Sequence, residues 1–282
     1  MDVLRIFYNG NLGSYYKFLV KYEPEYRIRV GEDEEKVIEF VSKKLANGKR
    51  IHELRLLKRM LTYTQGVALF HGLQTDLDHD CGIHMNQNQM ENIVNVMTNK
   101  ILKELVEFGI SRYERDFSNT YRNTNFVLYQ KYTYEDVCRL LNWERNEVPL
   151  NIGGYKFDKK TKTFPVFINY DKAEDISDTT KYEDHFAGNH TLIAISKSGR
   201  SVNSEDVQNF LHAQERGIQV HLFVRKNKDD SISKEFYYLG NMRASGKCRE
   251  FIMPKTDKKA VEIEWLLDVP VREDIYEYIV NA

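Results

Sequence analysis

The feature that most constrains the fold is a series of short strand-like runs in the second half of the chain. Beyond about Asn125, apolar runs of strand length alternate with polar turns: GGYKF, FPVFINY, TLIAIS, IQVHLFVRK, KEFYYLG, REFIM and VEIEWLL. Two short helical patterns interrupt them, TYEDVCRLLNW with Thr133 as its N-cap and SEDVQNFLHAQERG between Ser204 and Gly217. Seven strands with few helices favour an antiparallel sheet curled into a barrel or sandwich, and they leave little room for a parallel doubly wound core.

The first part of the chain has a helical period instead. DEEKVIEFVSKKL and IHELRLLKRMLTY each place apolar residues on one helical face, and a third amphipathic helix is predicted from about Gln87 to Phe108. Together these segments predict a helical bundle. We therefore expect an α+β chain with a helical domain at residues 1–125 and a β-rich domain at residues 126–282.

Composition excludes several classes of protein. The net charge is −1, and splitting the chain at residue 125 gives 18 basic and 17 acidic residues before that point and 23 and 25 after it. Neither half therefore coats nucleic acid or a membrane through bulk positive charge. The N-terminus lacks the pattern of a signal peptide, and three widely spaced cysteines do not suggest a disulfide framework, so we expect a cytoplasmic protein.

Common catalytic signatures are missing from the sequence. It contains no GxxxxGK[ST] phosphate loop, no His-x-Lys pair of the phospholipase-D type, and no HExxH, GxSxG or CxxC motif. We predict no catalytic residue in this chain.

Two clusters have a composition that metal sites also use. FHGLQTDLDHDCGIHM contains four potential zinc ligands: His71, His79, Cys81 and His84. DKAEDISD contains four carboxylates that could hold Mg²⁺ in a nuclease: Asp171, Glu174, Asp175 and Asp178. The first spacing matches no standard zinc knuckle, and the second cluster lacks a partnered lysine and a second acidic strand. We interpret both as polar loops and predict no metal site, with a metal-dependent nuclease kept as an alternative.

The acidic cluster belongs to a longer segment, FINYDKAEDISDTTKYEDHF, which holds Tyr170, Tyr182 and six carboxylates. Proteins that inspect a single base flip it out of the duplex, stack it on aromatic rings and bind its edge. A carboxylate can accept a hydrogen bond from the N4 amine of cytosine. The alternative is that these tyrosines are half-buried aromatics of a barrel wall, and composition alone favours that alternative.

Several separated blocks resemble one known family. In order, they are NIGGYKFD, the tyrosine- and acid-rich segment, SKSGR, HLFVRK and EFYYLG. This series is similar to the C-terminal target-recognition domain of SauUSI-like, modification-dependent (type IV) restriction enzymes, which has an SRA-like fold. The preceding helices, with NGKRIHELRLL, resemble the coupler that joins such a domain to a helicase motor. The resemblance implies that upstream helicase and nuclease domains belong to a longer parent protein, which would use ATP and Mg²⁺, whereas this chain needs no cofactor.

The resemblance also implies that the chain reads 5-methylcytosine or 5-hydroxymethylcytosine in duplex DNA by base flipping. It assigns the base pocket to Tyr170, Asp178, Tyr182 and Tyr238. One departure from the family pattern is the absence of an aromatic residue in TLIAIS. A methylation-independent, helicase-associated nucleic-acid-binding domain is the other alternative.

Local basic clusters are the expected contacts to DNA phosphates and grooves. They lie in the acidic segment, in SKSGR, at the end of HLFVRK and in RASGKCR, and the residues are Lys172, Lys197, Arg200, Arg225, Arg243 and Lys247. Phosphate contacts supply affinity and little sequence choice.

Overall fold

A computed structural model describes residues 2–9, 14–62, 85, 87–144, 152–170, 184–226, 234–253 and 257–281 of the chain. The contacts between residues divide it into two compact units, Met1–Asn119 and Thr120–Ala282. No described helix is long and apolar enough to cross a membrane.

Helices make up the described part of the N-terminal unit. They are α1 (Asp2–Asn9), α2 (Tyr15–Tyr22), α3 (Tyr26–Arg29), α4 (Glu32–Phe40), α5 (Ile51–Thr62), α6 (Gln87–Asn95) and α7 (Lys100–Arg112). Helices α4 and α7 each continue into a short π-helical segment, Val41–Leu45 and Tyr113–Phe117 respectively. The apolar face predicted for DEEKVIEFVSKKL, which forms α4 and the π-helical segment after it, is buried. Its residues Val37, Ile38, Val41 and Leu45 are all at most 5% exposed. This face packs into the core of the unit.

The helix predicted from Gln87 to Phe108 is two helices. Helix α6 ends at Asn95 and α7 begins at Lys100. Asn99 caps α7, because its side-chain oxygen accepts a hydrogen bond from the backbone N–H of Ile101 at 2.8 Å. A residue that can cap a helix N-terminus therefore starts a new helix where the apolar period alone predicts continuity.

One sheet forms the centre of the C-terminal unit. Its described strands are β1 (Lys131–Tyr132), β2 (Thr163–Asn169), β3 (His185–Gly188), β4 (Thr191–Ile195), β5 (Gln219–Arg225), β6 (Phe236–Ile252) and β7 (Lys259–Leu267). The strand order is β2-β5-β6-β7-β4-β3, and β1 pairs with β6. Three described helices accompany the sheet: α8 (Tyr134–Leu140), α9 (Glu205–Leu211) and α10 (Glu273–Val280). The predicted α+β class is confirmed, and the seven described strands form an open sheet instead of a closed barrel.

The pairing of β2 with β5 differs from the expected antiparallel arrangement. These strands run parallel, from Thr163 beside Gln219 to Asn169 beside Arg225, whereas the other strand pairs are antiparallel. Between them the chain forms the β3–β4 hairpin at the other edge of the sheet and then helix α9. A crossover of this kind returns the chain beside β2 in the same direction.

Strand β6 joins two runs that the sequence separates. KEFYYLG and REFIM belong to one strand of 17 residues. The glycine between them, Gly246, has a φ of +94°, and the register with β7 shifts between Ala244 and Cys248. A bulge therefore absorbs the residues that look like a turn. The run GGYKF makes one isolated bridge, between Tyr155 and Val166.

Both faces of the central strands are covered. One face belongs to a core that includes Phe164, Val220 and Leu222 together with Phe210 of α9. The opposite face carries an aromatic cluster that we call the aromatic face, and its rings are Phe126, Tyr132, Tyr134, Phe167, Phe223, Phe236 and Tyr238. Alternate residues of one strand therefore enter two separate packed layers.

Candidate functional site

The tyrosine- and acid-rich segment is hydrogen-bonded to the sheet at Tyr170 and at Asp184. Tyr170 follows β2, is 5% exposed, and donates its backbone N–H to the carbonyl oxygen of Arg225 at 2.8 Å. Its hydroxyl oxygen accepts a hydrogen bond from the N–H of Phe186 at 3.4 Å, and the two ring centroids are 5.7 Å apart. At the other end, a carboxylate oxygen of Asp184 accepts from the N–H of Ile195 at 2.8 Å. Both ends are therefore bonded to the sheet.

Of the predicted pocket tyrosines, Tyr170 and Tyr238 lie in the described part of the chain, and the structure does not bring these two together. Tyr238 is fully buried on the aromatic face, where its hydroxyl oxygen lies 3.2 Å from Nδ1 of His221. Tyr170 belongs to the core on the opposite face of the sheet. This differs from the expectation that both rings wall one pocket, because residues at odd and even positions of neighbouring strands face opposite ways. Asp178, Tyr182 and Lys172 lie outside the described residues.

Arg225 is also placed differently from the expected phosphate contact. It is 6% exposed, its Nε donates to Oδ1 of Asn169 at 2.5 Å, and its guanidinium carbon lies 4.5 Å from the ring centroid of Phe236. A guanidinium enclosed by these partners is not available to a phosphate. Its contacts instead fix the end of β2, directly before Tyr170.

The two predicted contacts on β6 lie at the surface. The Lys247 side chain is 79% exposed and forms an ion pair with Glu264 at 3.2 Å. Arg243 is half-buried and borders a cleft of about 280 Å³, which the ion pair between Arg122 and Asp268 also borders.

A second concave surface contains the remaining predicted cations, Lys197 and Arg200. We call it the Lys197 cleft, and its volume is about 300 Å³. Its lining residues are Tyr155, Lys156, Phe157, Phe164, Lys197, Arg200, Ser204, Glu205 and Asp206. The lining therefore combines three aromatic rings, three cations and two carboxylates.

A hydrogen-bond network organises this cleft. The Tyr155 hydroxyl donates to Oδ2 of Asp206 at 2.9 Å and accepts from the backbone N–H of Lys197 at 3.0 Å. The same Oδ2 atom accepts from Nε of Arg200 at 2.7 Å. The Lys197 ammonium donates to the carbonyl oxygen of Ile152 at 2.8 Å and lies 4.7 Å from the Tyr155 ring centroid. Two loops and the start of α9 are thus tied to one tyrosine.

Burial and charge set the protonation of these groups. Burial lowers the pKa of Lys197, and the neighbouring Arg200 lowers it further. Burial raises the pKa of the Tyr155 hydroxyl, which therefore stays a neutral donor. Burial also acts to raise the pKa of Asp206, but hydrogen bonds from Arg200 and Tyr155 outweigh it and the net shift is downward. Asp206 is accordingly an anion at neutral pH.

The cleft and the tyrosine- and acid-rich segment meet at the end of β4. Ile195, the last residue of β4, bonds to Asp184, and Lys197 follows two residues later. Among the described residues, no group of three or more His, Cys, Asp or Glu side chains could hold a metal ion. The His- and Cys-containing stretch from 71 to 84 lies outside the described residues.

No sequence pattern assigns a functional role to Tyr155 or Asp206. Tyr155 lies in the GGYKF run, where an aromatic residue fits a strand, and Asp206 lies in the first turn of α9, where an acidic residue is usual. The residue type at each position is therefore explained by local structure alone, without a functional role. The signal that links them is their contact across 51 positions of the chain.

A comparison with known protein families finds a match for the C-terminal unit. A family model described as "Domain of unknown function (DUF3427)" matches residues 126–279, which is more than half of the chain. The chain belongs to the DUF3427 family. The Lys197 cleft and both anchors of the tyrosine- and acid-rich segment lie within the DUF3427 match. A second model, "Domain of unknown function (DUF8090)", matches residues 1–136, and no curated protein matches the chain.

Several solved structures have a remote likeness to this DUF3427 chain. The SUVH5 SRA complex with hemimethylated CG DNA is 10% identical, with a TM-score of 0.36, and the match covers 54% of this chain and 95% of that one. SUVH5 SRA bound to fully hydroxymethylated CG DNA is 11% identical, with a TM-score of 0.32 and coverages of 50% and 87%. Arabidopsis thaliana SUVH6 with SAM is 11% identical, with a TM-score of 0.38 and coverages of 83% and 42%. At these identities and TM-scores, no residue role transfers from them.

Proposed function

We propose that the chain is a DNA reader that flips a modified cytosine, 5-methylcytosine or 5-hydroxymethylcytosine, out of the duplex. The observation that carries this proposal is the meeting of two features at the end of β4. One is the anchored end of a segment rich in tyrosines and carboxylates, and the other is a cleft with three cations. A flipped base needs rings and a hydrogen-bond acceptor, and its displaced backbone needs cations.

In this proposal the two features have different tasks. Tyr182 supplies a ring for stacking, and Asp178 supplies a carboxylate that accepts from the N4 amine of cytosine. Tyr170 positions the segment, because its ring is buried and its backbone and hydroxyl are both bonded to neighbouring strands. Lys197 and Arg200 follow the end of β4, where Asp184 of the segment is bonded, and they contact the DNA backbone.

The resemblance of several sequence blocks to SauUSI-like restriction enzymes extends the proposal to a biological setting. The helical unit would act as a coupler between this reader and upstream helicase and nuclease domains of a parent type IV restriction enzyme. The parent would use ATP and Mg²⁺, and recognition of a modified base would license cleavage by the other domains.

The test is a binding measurement with two matched duplexes that differ only by 5-methylcytosine, in several sequence contexts. The salt concentration is held constant because phosphate affinity depends steeply on it. We expect the methylated duplex to bind about tenfold more tightly, which corresponds to about 1.4 kcal/mol. The same measurement with 5-hydroxymethylcytosine defines the range of bases.

Two variants locate the pocket. Tyr182→Ala should abolish the preference for the methylated duplex, whereas Tyr278→Ala should retain it, since Tyr278 is a 47% exposed tyrosine of α10. Equal binding of both duplexes by the wild-type chain in every context would leave a methylation-independent nucleic-acid-binding domain. Mg²⁺-dependent cleavage by the chain that Asp171→Ala abolishes would identify a nuclease instead.

A further inference from the structure

We infer that Asp206 and Tyr155 are positioning residues that hold the Arg200 guanidinium ready for a DNA phosphate. The inference rests on the proposed function only in taking DNA as the ligand, and it is independent of base modification. It assigns a favourable role in DNA binding to a carboxylate, although a carboxylate near DNA normally opposes binding.

The geometry of Arg200 supports this role. Its Nε donates to Asp206 at 2.7 Å, so the guanidinium is held by one edge, and the edge that could face a phosphate is formed by the two terminal amino groups, which are N–H donors. The Arg200 side chain is 40% exposed, and the hydrogen bond to Asp206 raises its pKa. A guanidinium that is fixed beforehand loses less side-chain entropy when it binds a phosphate bidentately.

Asp206 has the contacts of a fixing group. Its side chain is only 19% exposed, its Oδ2 accepts from both Arg200 and Tyr155, and its Oδ1 accepts from the N–H of Val207 at 3.1 Å. Both oxygens therefore have protein partners. Tyr155 in turn is held by the backbone of Lys197, so the position of Arg200 depends on the network as a whole.

The neighbouring residue provides a matched control. Glu205 lines the same cleft, but its side chain is 74% exposed and its partner is Lys159, at 3.1 Å. Neutralising Glu205 removes repulsion from DNA and leaves Arg200 in place. Neutralising Asp206 removes the same charge but releases Arg200. Of the two substitutions, only the one at Asp206 should therefore lower DNA affinity.

The experiment measures affinity of the full chain for methylated and unmodified duplexes over a salt series. We expect Arg200→Ala to lower affinity for both duplexes about tenfold and to reduce the salt slope by about 0.9. Asp206→Asn and Tyr155→Phe should each lower both affinities about threefold to tenfold. Glu205→Gln should leave both affinities unchanged or raise them.

A double variant separates positioning from damage to the fold. In the Arg200→Ala background, Asp206→Asn should no longer lower affinity, since it has no guanidinium left to hold. An equal drop in both backgrounds, or a gain in affinity for Asp206→Asn alone, would overturn the inference.

The same data distinguish this inference from the proposed function. Equal binding of both duplexes, with Asp206→Asn still weakening both, would refute the modified-base reader and retain the role of Asp206. A preference of the wild-type chain for the methylated duplex, together with tighter DNA binding by Asp206→Asn, would retain the modified-base reader and refute the role of Asp206. Absence of binding to either duplex at low salt would refute both.

Discussion

His221 makes the stability of the C-terminal unit sensitive to acid. This residue of β5 is fully buried on the aromatic face, with its ring centroid 5.7 Å from that of Phe126 and its Nδ1 3.2 Å from the Tyr238 hydroxyl oxygen. Burial lowers the pKa of His221 from 6.5 to about 3. The folded unit therefore keeps a neutral imidazole at pH values where the unfolded chain binds a proton.

The sign and size of the effect follow from this difference. Stability from the neutral imidazole is fully present above pH 6.5, and it is lost as the pH falls toward the folded pKa near 3. Each pH unit between the two values costs about 1.4 kcal/mol, so the step from pH 7 to pH 4 costs about 3 kcal/mol. Replacing His221 with Phe, which has a similar shape, should remove this contribution.

The chain offers a selective probe for the measurement. Its two tryptophans, Trp143 and Trp265, are both buried in the C-terminal unit, so their fluorescence in urea reports the unfolding of that unit. Between pH 7 and pH 4 the wild-type unit should lose about 3 kcal/mol more unfolding free energy than His221→Phe. The control His212→Gln, at a histidine whose side chain is 42% exposed, should follow the wild type. If wild type and His221→Phe show the same pH dependence, the reasoning is refuted.

Three further substitutions test other parts of the fold. Gly48→Ala should destabilise the helical unit by about 2 kcal/mol, measured as loss of helical circular dichroism in urea, because Gly48 has a φ of +77° and a new Cβ would lie 2.9 Å from Cβ of Arg112. Thr133→Ala removes the cap of α8 and should cost the C-terminal unit about 1 kcal/mol by tryptophan fluorescence. Trp143→Phe removes the 2.8 Å bond from its indole N–H to the Thr163 hydroxyl, and should also cost about 1 kcal/mol or more with Trp265 as the remaining probe.

Local patterns predicted the elements that local interactions decide. The cap of α8 is present as the sequence suggests, with Thr133 and Asp136 each bonded to the other's backbone N–H. The run FPVFINY forms β2, a strand with buried residues on both faces. Pairing partners are decided by distant parts of the chain, so neither the parallel alignment of β2 with β5 nor the continuity of β6 could be read from neighbouring residues.

The residues of the candidate site also fall into those that local sequence predicts and those that the fold decides. Lys197 and Arg200 were predicted from a short basic cluster, and the structure places both in one cleft. Arg225 was predicted on the same grounds, but it ends a strand that is buried on both faces, and its charge is enclosed by Asn169 and Phe236. A basic residue at the end of a continuous apolar run is a weaker indication of a surface contact than one beside a glycine in a turn.

The continuity of β6 has a consequence for the cooperativity of unfolding. Its first residues pair with β5 and its later residues pair with β7, so one uninterrupted backbone belongs to both halves of the sheet. Neither half can separate without breaking main-chain hydrogen bonds of the same strand. The amide protons of β5 and β7 should therefore exchange with solvent through a shared global opening instead of two independent local ones. Because β7 also pairs with β4, the same opening should release the end of β4, which Lys197 follows by two residues.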